Sequence, residues 1–259
     1  MERLSKIYIR VANEKFLKGT QRANIAEFIL LSGGLYYSIA RGFREVNGFA
    51  LPQCFLGIKR QRVEGSEGHF TAVSTYENFE SLPQNATILV ADTIATGGTL
   101  MRAIADLERA AEEKDGKIEK MAIFSLACSS DAAHKLKKME EKMREKNKDF
   151  KLTLIVSEQL FHLMPDGMNL RFLADGAEMP EETKKYTLEK YGEFLGKEMK
   201  GAVFDWGTRC KNPLRHYEEF VAFGEEILRN PKIDEKGKAE IKRMVQETEL
   251  EMENSLREF

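Results

Sequence analysis

The stretch Ile88-Leu89-Val90-Ala91-Asp92-Thr93-Ile94-Ala95-Thr96-Gly97-Gly98-Thr99-Leu100 holds the residues best suited to chemistry in this chain. An apolar run ends in one acid, a hydroxyl-bearing turn with two glycines follows, and a helical pattern begins at once. Glycines permit positive φ and close backbone approach, so successive N–H groups can form an anion nest. The free N–H groups of a first helical turn point at the same spot, where the helix dipole also favours negative charge. Thr96 and Thr99 add hydroxyl donors. Such a cup suits a phosphate monoester, and Asp92 suits the sugar hydroxyls beside it. On the glycines alone, an ordinary strand–turn–helix fits about as well. A Walker loop is excluded because no Lys follows the glycines, and the Gly-x-Gly-x-x-Gly of a dinucleotide fingerprint is absent.

Positioning this turn requires a scaffold, and short β-like runs alternate with amphipathic helices over about residues 25–157. Apolar runs at 28–31, 54–58, 86–91, 120–127 and 152–156 read as five strands. Ser32-Gly33-Gly34 stops the first, and a helix is expected from 35 to about 46, ended by Asn47-Gly48. Residues 61–80 are polar and glycine-bearing, and read as a long mobile loop or an extended hairpin. Leu100, Ile104, Leu107 and Ala111 recur on one helical face. Ser129-Ser130-Asp131 can cap a helix whose apolar face is Ala132, Leu136, Met139 and Met143. Its other side is nearly all Lys and Glu, a solvated face. This alternation predicts an α/β fold: a doubly wound, mostly parallel five-stranded sheet with helices on both faces. Such a sheet gathers its strand C-termini on one edge, where ligands bind. Beyond residue 160 the pattern turns irregular and forms a hood. From about His216 it is helical, with a break at Asn230-Pro231 and an Asp234 cap on a last helix ending near Arg257. The expected division is 1–215, with its core at about 25–157, and a C-terminal extension 216–259.

Bulk properties narrow the function. Forty basic and 42 acidic residues leave a net charge of -2 over 259 residues. That balance gives no global field for nucleic acid or an anionic membrane and argues against strong RNA binding. No apolar run is long enough for a membrane span, and the mixed stretch after Met1 lacks the features of a signal peptide. Cys54, Cys128 and Cys210 are odd in number and far apart, which reads as reduced thiols in a cytoplasmic protein. His69, His134, His162 and His216 show no metal-ligand spacing.

The segment 88–100 resembles the phosphoribosyl-diphosphate-binding motif of type I phosphoribosyltransferases: four apolar residues, one or two acids, then a Thr-Gly loop opening a helix. Ala95-Thr96-Gly97-Gly98-Thr99 is most similar to the uracil enzymes, whose loop reads Ala-Thr-Gly-Gly-Ser. Ser32, Gly33 and Gly34 sit where the family places its diphosphate loop, and Gly57-Ile58-Lys59-Arg60 resembles the uracil enzymes' Gly-Leu-Tyr-Arg. The stretch 61–80 corresponds to its closing loop. Phe204-Asp205-Trp206-Gly207-Thr208-Arg209 is similar to the base-binding Gly-Asp-Ala-Gly-Asp-Arg.

The resemblance implies transfer of phosphoribose to a nucleobase, uracil first, with diphosphate released. Asp92 and Asp205 would be catalytic. Asp92, Thr93, Ala95, Thr96, Gly97, Gly98 and Thr99 would hold the ribose and 5′-phosphate. Ser32, Gly33, Gly34, Lys59 and Arg60 would hold the diphosphate, and Phe204, Asp205 and Trp206 the base. Mg²⁺ would enter through the substrate diphosphate, with no direct protein ligand, and a homodimer is implied because dimers are usual in the family.

The chain departs from the uracil pattern at Ala91-Asp92, which replaces Asp-Pro, at Leu31, which replaces an Arg, and at Trp206, which replaces a small residue. A purine or unusual base, or a non-catalytic regulator binding phosphoribosyl diphosphate or a nucleotide, therefore stays open. So do plainer roles: a turn at Gly33-Gly34, solvated charges at Lys59 and Arg60, a local cap at Asp92, an Asx turn at Asp205. Pro165-Asp166-Gly167 reads as a turn.

Overall fold

The structure is a computed structural model that describes residues 2–31, 33–62, 70–157, 159–165, 170–171, 176–191 and 213–257. Two compact units divide the chain, Met1–Ser157 and Glu158–Phe259. The first runs α1 (Glu2–Lys15), β1 (Ile25–Leu31), a 3-10 turn (Gly33–Tyr37), α2 (Ile39–Asn47), β2 (Gln53–Arg62) and β3 (Phe70–Asn78). It continues through β4 (Asn85–Ala91), α3 (Gly98–Glu112), β5 (Lys117–Ser125), β6 (Cys128–Ser129), α4 (Ser130–Lys146) and β7 (Lys151–Val156). Six strands form one sheet in the order β3-β2-β1-β4-β5-β7. All neighbours are parallel except the edge pair β2–β3.

Burial explains why these runs become strands. Residues 86–91 of β4 are all buried, as expected of a parallel sheet covered on both faces. Leu89, Ala91, Ala122 and Phe124 share one core with Tyr8 and Ile9 of α1 and Phe43 of α2. Side chains alternate along a strand, so Ile88, Val90, Met121 and Ile123 face the opposite layer. There α3 buries Leu100, Ile104, Leu107 and Ala111, the face expected from their spacing. In α4, Ala132, Leu136 and Met143 are buried and Met139 is half-buried.

Two expectations are corrected. The sheet has six strands, not five, because the 61–80 stretch takes its extended-hairpin alternative, with Phe70–Asn78 as β3. Its hydrogen bonds come from β2, and its edge position leaves Val73 and Tyr76 exposed, so no apolar run marks it. The expected helix at 35–46 is interrupted. A 3-10 turn ends at Ser38, whose φ is 52, and α2 starts at Ile39. Buried Glu27 of β1 sets that start by accepting the Ala40 N–H, and Gln53 Nε2 donates to the same carboxylate at 2.7 Å. The N-terminal stretch, to which the sequence assigns no element, is a 14-residue helix. Its buried residues Ser5, Tyr8, Ile9 and Ala12 have helical spacing, but polar residues dilute the pattern.

In the second unit, β8 (Leu160–Leu163) and β9 (Leu170–Arg171) pair antiparallel. The helices are α5 (Glu181–Tyr191), α6 (Pro213–Leu228) and α7 (Glu235–Arg257). The chain breaks after α6, and Asp234 Oδ1 accepts the Gly237 N–H at 2.7 Å, capping α7 as expected. Helices α6 and α7 pack together, and Gly224 permits it: a Cβ there would collide with Val245 Cγ2. Among the described residues, no helix is long and apolar enough to cross a membrane.

Candidate functional site

Strand order reverses between β1 and β4. From β1 the sheet grows outward to β2 and β3, and from β4 the other way to β5 and β7. Connections leaving the C-terminal ends of β1 and β4 therefore diverge, and they open the crevice where α/β sheets bind ligands. The two glycine-bearing segments singled out in the sequence leave these two strand ends.

The cup follows β4. Gly97 has φ 77 and sits at the N-cap of α3 with no side-chain cap. The first-turn N–H groups of α3 have no acceptor within the helix. Gly98 is exposed, and a Cβ there would meet only Thr96 Oγ1, at 3.8 Å, so the space above the turn is open. Thr96 and Thr99 are half-buried. Behind the cup, the segment after β5 holds the loop from below. The Asp92 N–H donates to the Phe124 carbonyl (3.1 Å), Ile94 N–H to Ala127 (2.9 Å) and Ser129 N–H to Ile94 (2.9 Å). Ser129 Oγ accepts the Ala132 N–H as the cap of α4 and donates to the Ala95 carbonyl. Ile94 and Ala95 are buried in consequence.

Asp92 lies between the two loops. A Cβ on Gly33 would stand 3.1 Å from Asp92 Oδ1, and one on Gly34 would stand 3.2 Å from the Ala91 carbonyl oxygen. Glycines ease this approach, since a Cβ at either position would push its neighbour back by a few tenths of an ångström. Tyr37 locks the approach. Its hydroxyl donates to the Asp92 carbonyl (3.0 Å) and accepts from the Leu126 N–H (2.9 Å). With its proton so committed, it also accepts from Thr93 Oγ1 (2.9 Å). Burial raises the Tyr37 pKa, so the hydroxyl stays protonated at neutral pH. Ser5 of α1 donates to the Tyr37 carbonyl. Burial also pushes the Cys128 thiol to about 12, with the Asp92 charge adding to the effect, and Cys54 to about 11. Neither thiol is a nucleophile at neutral pH.

Strand β2 outruns β1. Their pairing ends at Leu31 opposite Gly57, so Lys59 and Arg60 lie past the end of β1 on the ligand edge. Lys59 is exposed. The β2–β3 hairpin is tied to α3: Ser74 Oγ and Arg102 Nε both donate to Asp106 Oδ2, and Arg109 bridges to Glu77. Burial works against the Asp106 carboxylate, but these donors and the Arg109 charge outweigh it and hold its pKa below the ordinary value.

The fold thus gathers Gly33, Gly34, Asp92, Thr93, Ala95, Thr96, Gly97, Gly98 and Thr99 around one crevice, with Lys59 and Arg60 on the hairpin beside it. Ser32, Phe204, Asp205 and Trp206 lie outside the described residues, as do 63–69 of the expected closing loop. Tyr37, Ser129 and Lys135 are additions. Ser129 is legible as a cap, but its bond to Ala95 is not. Tyr37 sits in what reads as an ordinary helix.

No protein-family model matches the sequence, and no curated protein does either. Solved structures that the chain matches in part include the hypoxanthine-guanine phosphoribosyltransferase of L. donovani. It has 13% identity and a TM-score of 0.36, with 61% of this chain and 81% of that one covered. The adenine phosphoribosyltransferase of Leishmania tarentolae has 15% identity and a TM-score of 0.37, covering 58% and 70%. A hypothetical protein from Neisseria gonorrhoeae with bound ppGpp has 13% identity and a TM-score of 0.33, covering 48% of this chain and 66% of that one, just under two thirds of its length.

Proposed function

We propose that this chain is a phosphoribosyltransferase that moves 5-phosphoribose from phosphoribosyl diphosphate to a nucleobase, uracil being the first choice. One observation carries the reading: two glycine-bearing loops meet at the reversal point of the sheet with the Asp92 carboxylate between them. The α3 cup would hold the 5′-phosphate through backbone N–H groups and the Thr96 and Thr99 hydroxyls. The loop with Ser32, Gly33 and Gly34 would hold the diphosphate, with Lys59 and Arg60 adding charge. Asp92 would accept from the ribose hydroxyls and balance positive charge growing on the sugar. The bond from the anomeric carbon to the diphosphate oxygen breaks, a bond to a base nitrogen forms, and that nitrogen loses its proton. Asp205, with Phe204 and Trp206, would orient the base.

Mg²⁺ fits this crevice as an oxygen-seeking ion carried by the substrate diphosphate, with waters completing its shell and the Asp92 charge nearby. When bound, it neutralises charge on the departing diphosphate. The ion would be held through the substrate rather than by a protein cage. A homodimer in the cytoplasm is part of the proposal.

Ala91 favours a second reading, a non-catalytic regulator that binds the same ligand, because a buried methyl stands where purine enzymes carry their first acid. Diphosphate release decides. With Mg²⁺ and phosphoribosyl diphosphate, uracil, hypoxanthine, guanine and adenine are tested in turn, and release is expected with one of them. Saturable binding with no release for any base would favour the regulator. No binding at all would overturn both. Asp92→Asn is expected to lower kcat about 10-fold or more while KM for phosphoribosyl diphosphate changes little, since the charge acts mainly in the transition state. Full turnover in that variant would remove Asp92 from the reaction.

A further inference from the structure

Lys135 lies on α4, which the phosphoribosyl reading assigns no role. Its Nζ nevertheless donates to the Thr96 carbonyl at 2.8 Å, across 39 residues of sequence. This is not a chance approach of a long side chain. Ala132, one turn earlier on the same face, backs the cup: a Cβ on Gly97 would touch Ala132 Cβ at 3.4 Å. Ser129, at the start of the same helix, is bonded to Ala95 and Ile94. Helix α4 is thereby set against the loop, and Lys135 is its next residue in reach.

The carbonyl it holds is the one that matters. In a trans peptide the C=O and the following N–H point in opposite directions. Holding the Thr96 carbonyl toward α4 therefore turns the Gly97 N–H away from α4. Flipping this peptide would aim a carbonyl where a phosphate should find an N–H. The flip is otherwise inexpensive, because the next residue is glycine and tolerates either sign of φ. A hydrogen bond from an ammonium also polarises the peptide and strengthens its N–H as a donor.

We propose that Lys135 is a positioning residue of the phosphate cup: by bonding the Thr96 carbonyl it keeps the Thr96–Gly97 peptide in its anion-binding orientation. This rests on the phosphoribosyl reading and adds a residue to it. It predicts a defect confined to the phosphate-monoester end of the ligand.

The test titrates the full chain calorimetrically with ribose 5-phosphate and, separately, with diphosphate plus Mg²⁺. Lys135→Met should weaken ribose 5-phosphate about five- to tenfold, the range for losing one charge-assisted bond at an exposed position. Diphosphate binding should stay within twofold, because the β1 loop holds it. Lys135→Arg, which keeps a charged donor, should recover most of the lost affinity. Lys135 is exposed, so the melting temperature should not move appreciably. Unchanged ribose 5-phosphate affinity in the Met variant, or an equal loss for diphosphate, would overturn the role of Lys135 and leave the phosphoribosyl reading standing. Failure of the unaltered protein to bind ribose 5-phosphate would overturn both.

Discussion

Gly97→Val tests the cup most directly. Gly97 has φ 77, a region that costs an L-residue about 1–2 kcal/mol. A Cβ would lie 3.4 Å from Ala132 Cβ and 3.7 Å from Met101 Cε, so alanine just fits. Valine adds two methyl groups against α4, and overpacking of this kind costs about 1–3 kcal/mol. The sum is about 2–5 kcal/mol, and the chain can meet it in two ways. If the backbone stays put, stability falls, by about 2–4 °C in melting temperature per kcal/mol for a chain of this size. If φ turns negative instead, the N–H groups of Gly97 and Gly98 leave the cup. Bonds to a charged acceptor are worth about 1.5–3 kcal/mol each, so losing two weakens binding on the order of a hundredfold or more. The second route should abolish ribose 5-phosphate binding in calorimetry while the fold persists by circular dichroism, and the first should appear as a lower melting temperature. Gly97→Ala should fall between the two proteins in affinity. A valine variant that binds ribose 5-phosphate as tightly as the parent and melts at the same temperature would refute the cup.

Further outcomes follow from neighbouring contacts. In Gly33→Ala the new methyl would stand 3.1 Å from Asp92 Oδ1 and displace it; kcat/KM should drop about tenfold, and normal kinetics would show that Asp92 is not held by this approach. In Gly42→Ala the Cβ would lie 2.9 Å from Ser5 Cβ and 3.2 Å from the Ser5 backbone carbon, so α1 must move off α2. A loss of about 1–3 kcal/mol is expected in urea unfolding, and no loss would contradict the close crossing of these helices. Burial raises the Glu27 pKa above its ordinary 4.5, against the smaller lowering effects of Gln53 and Ala40. Its contribution to stability is thus greatest below pH 4.5 and declines as pH rises through the folded pKa, because ionisation is easier in the unfolded chain. Subtracting the stability–pH curve of Glu27→Gln from that of the parent should show this decline, and a flat difference would rule it out.

Local chemistry was legible without coordinates. The apolar runs of β1, β4, β5 and β7 are long enough to declare themselves because both faces of the sheet are covered. The α3 face, the Ser129 and Asp234 caps and the Gly48 stop are short-range signals carried by a few adjacent residues. So was the pairing of an acid with a Thr-Gly-Gly turn at 92–98. Other features belong to no local pattern. β3 forms because β2 offers it hydrogen bonds, and as an exposed edge it needs no apolar run. The interruption at Ser38 reflects a buried carboxylate on β1 that receives Ala40. Tyr37 and Lys135 reach the candidate site from positions that read as ordinary helix, since a side chain's partner across 39 or 55 residues is set by how layers stack. Spacing along a chain reports which side of an element is apolar. Only packing decides which carbonyl a hydroxyl or an ammonium will meet, because that choice depends on where every other layer comes to rest.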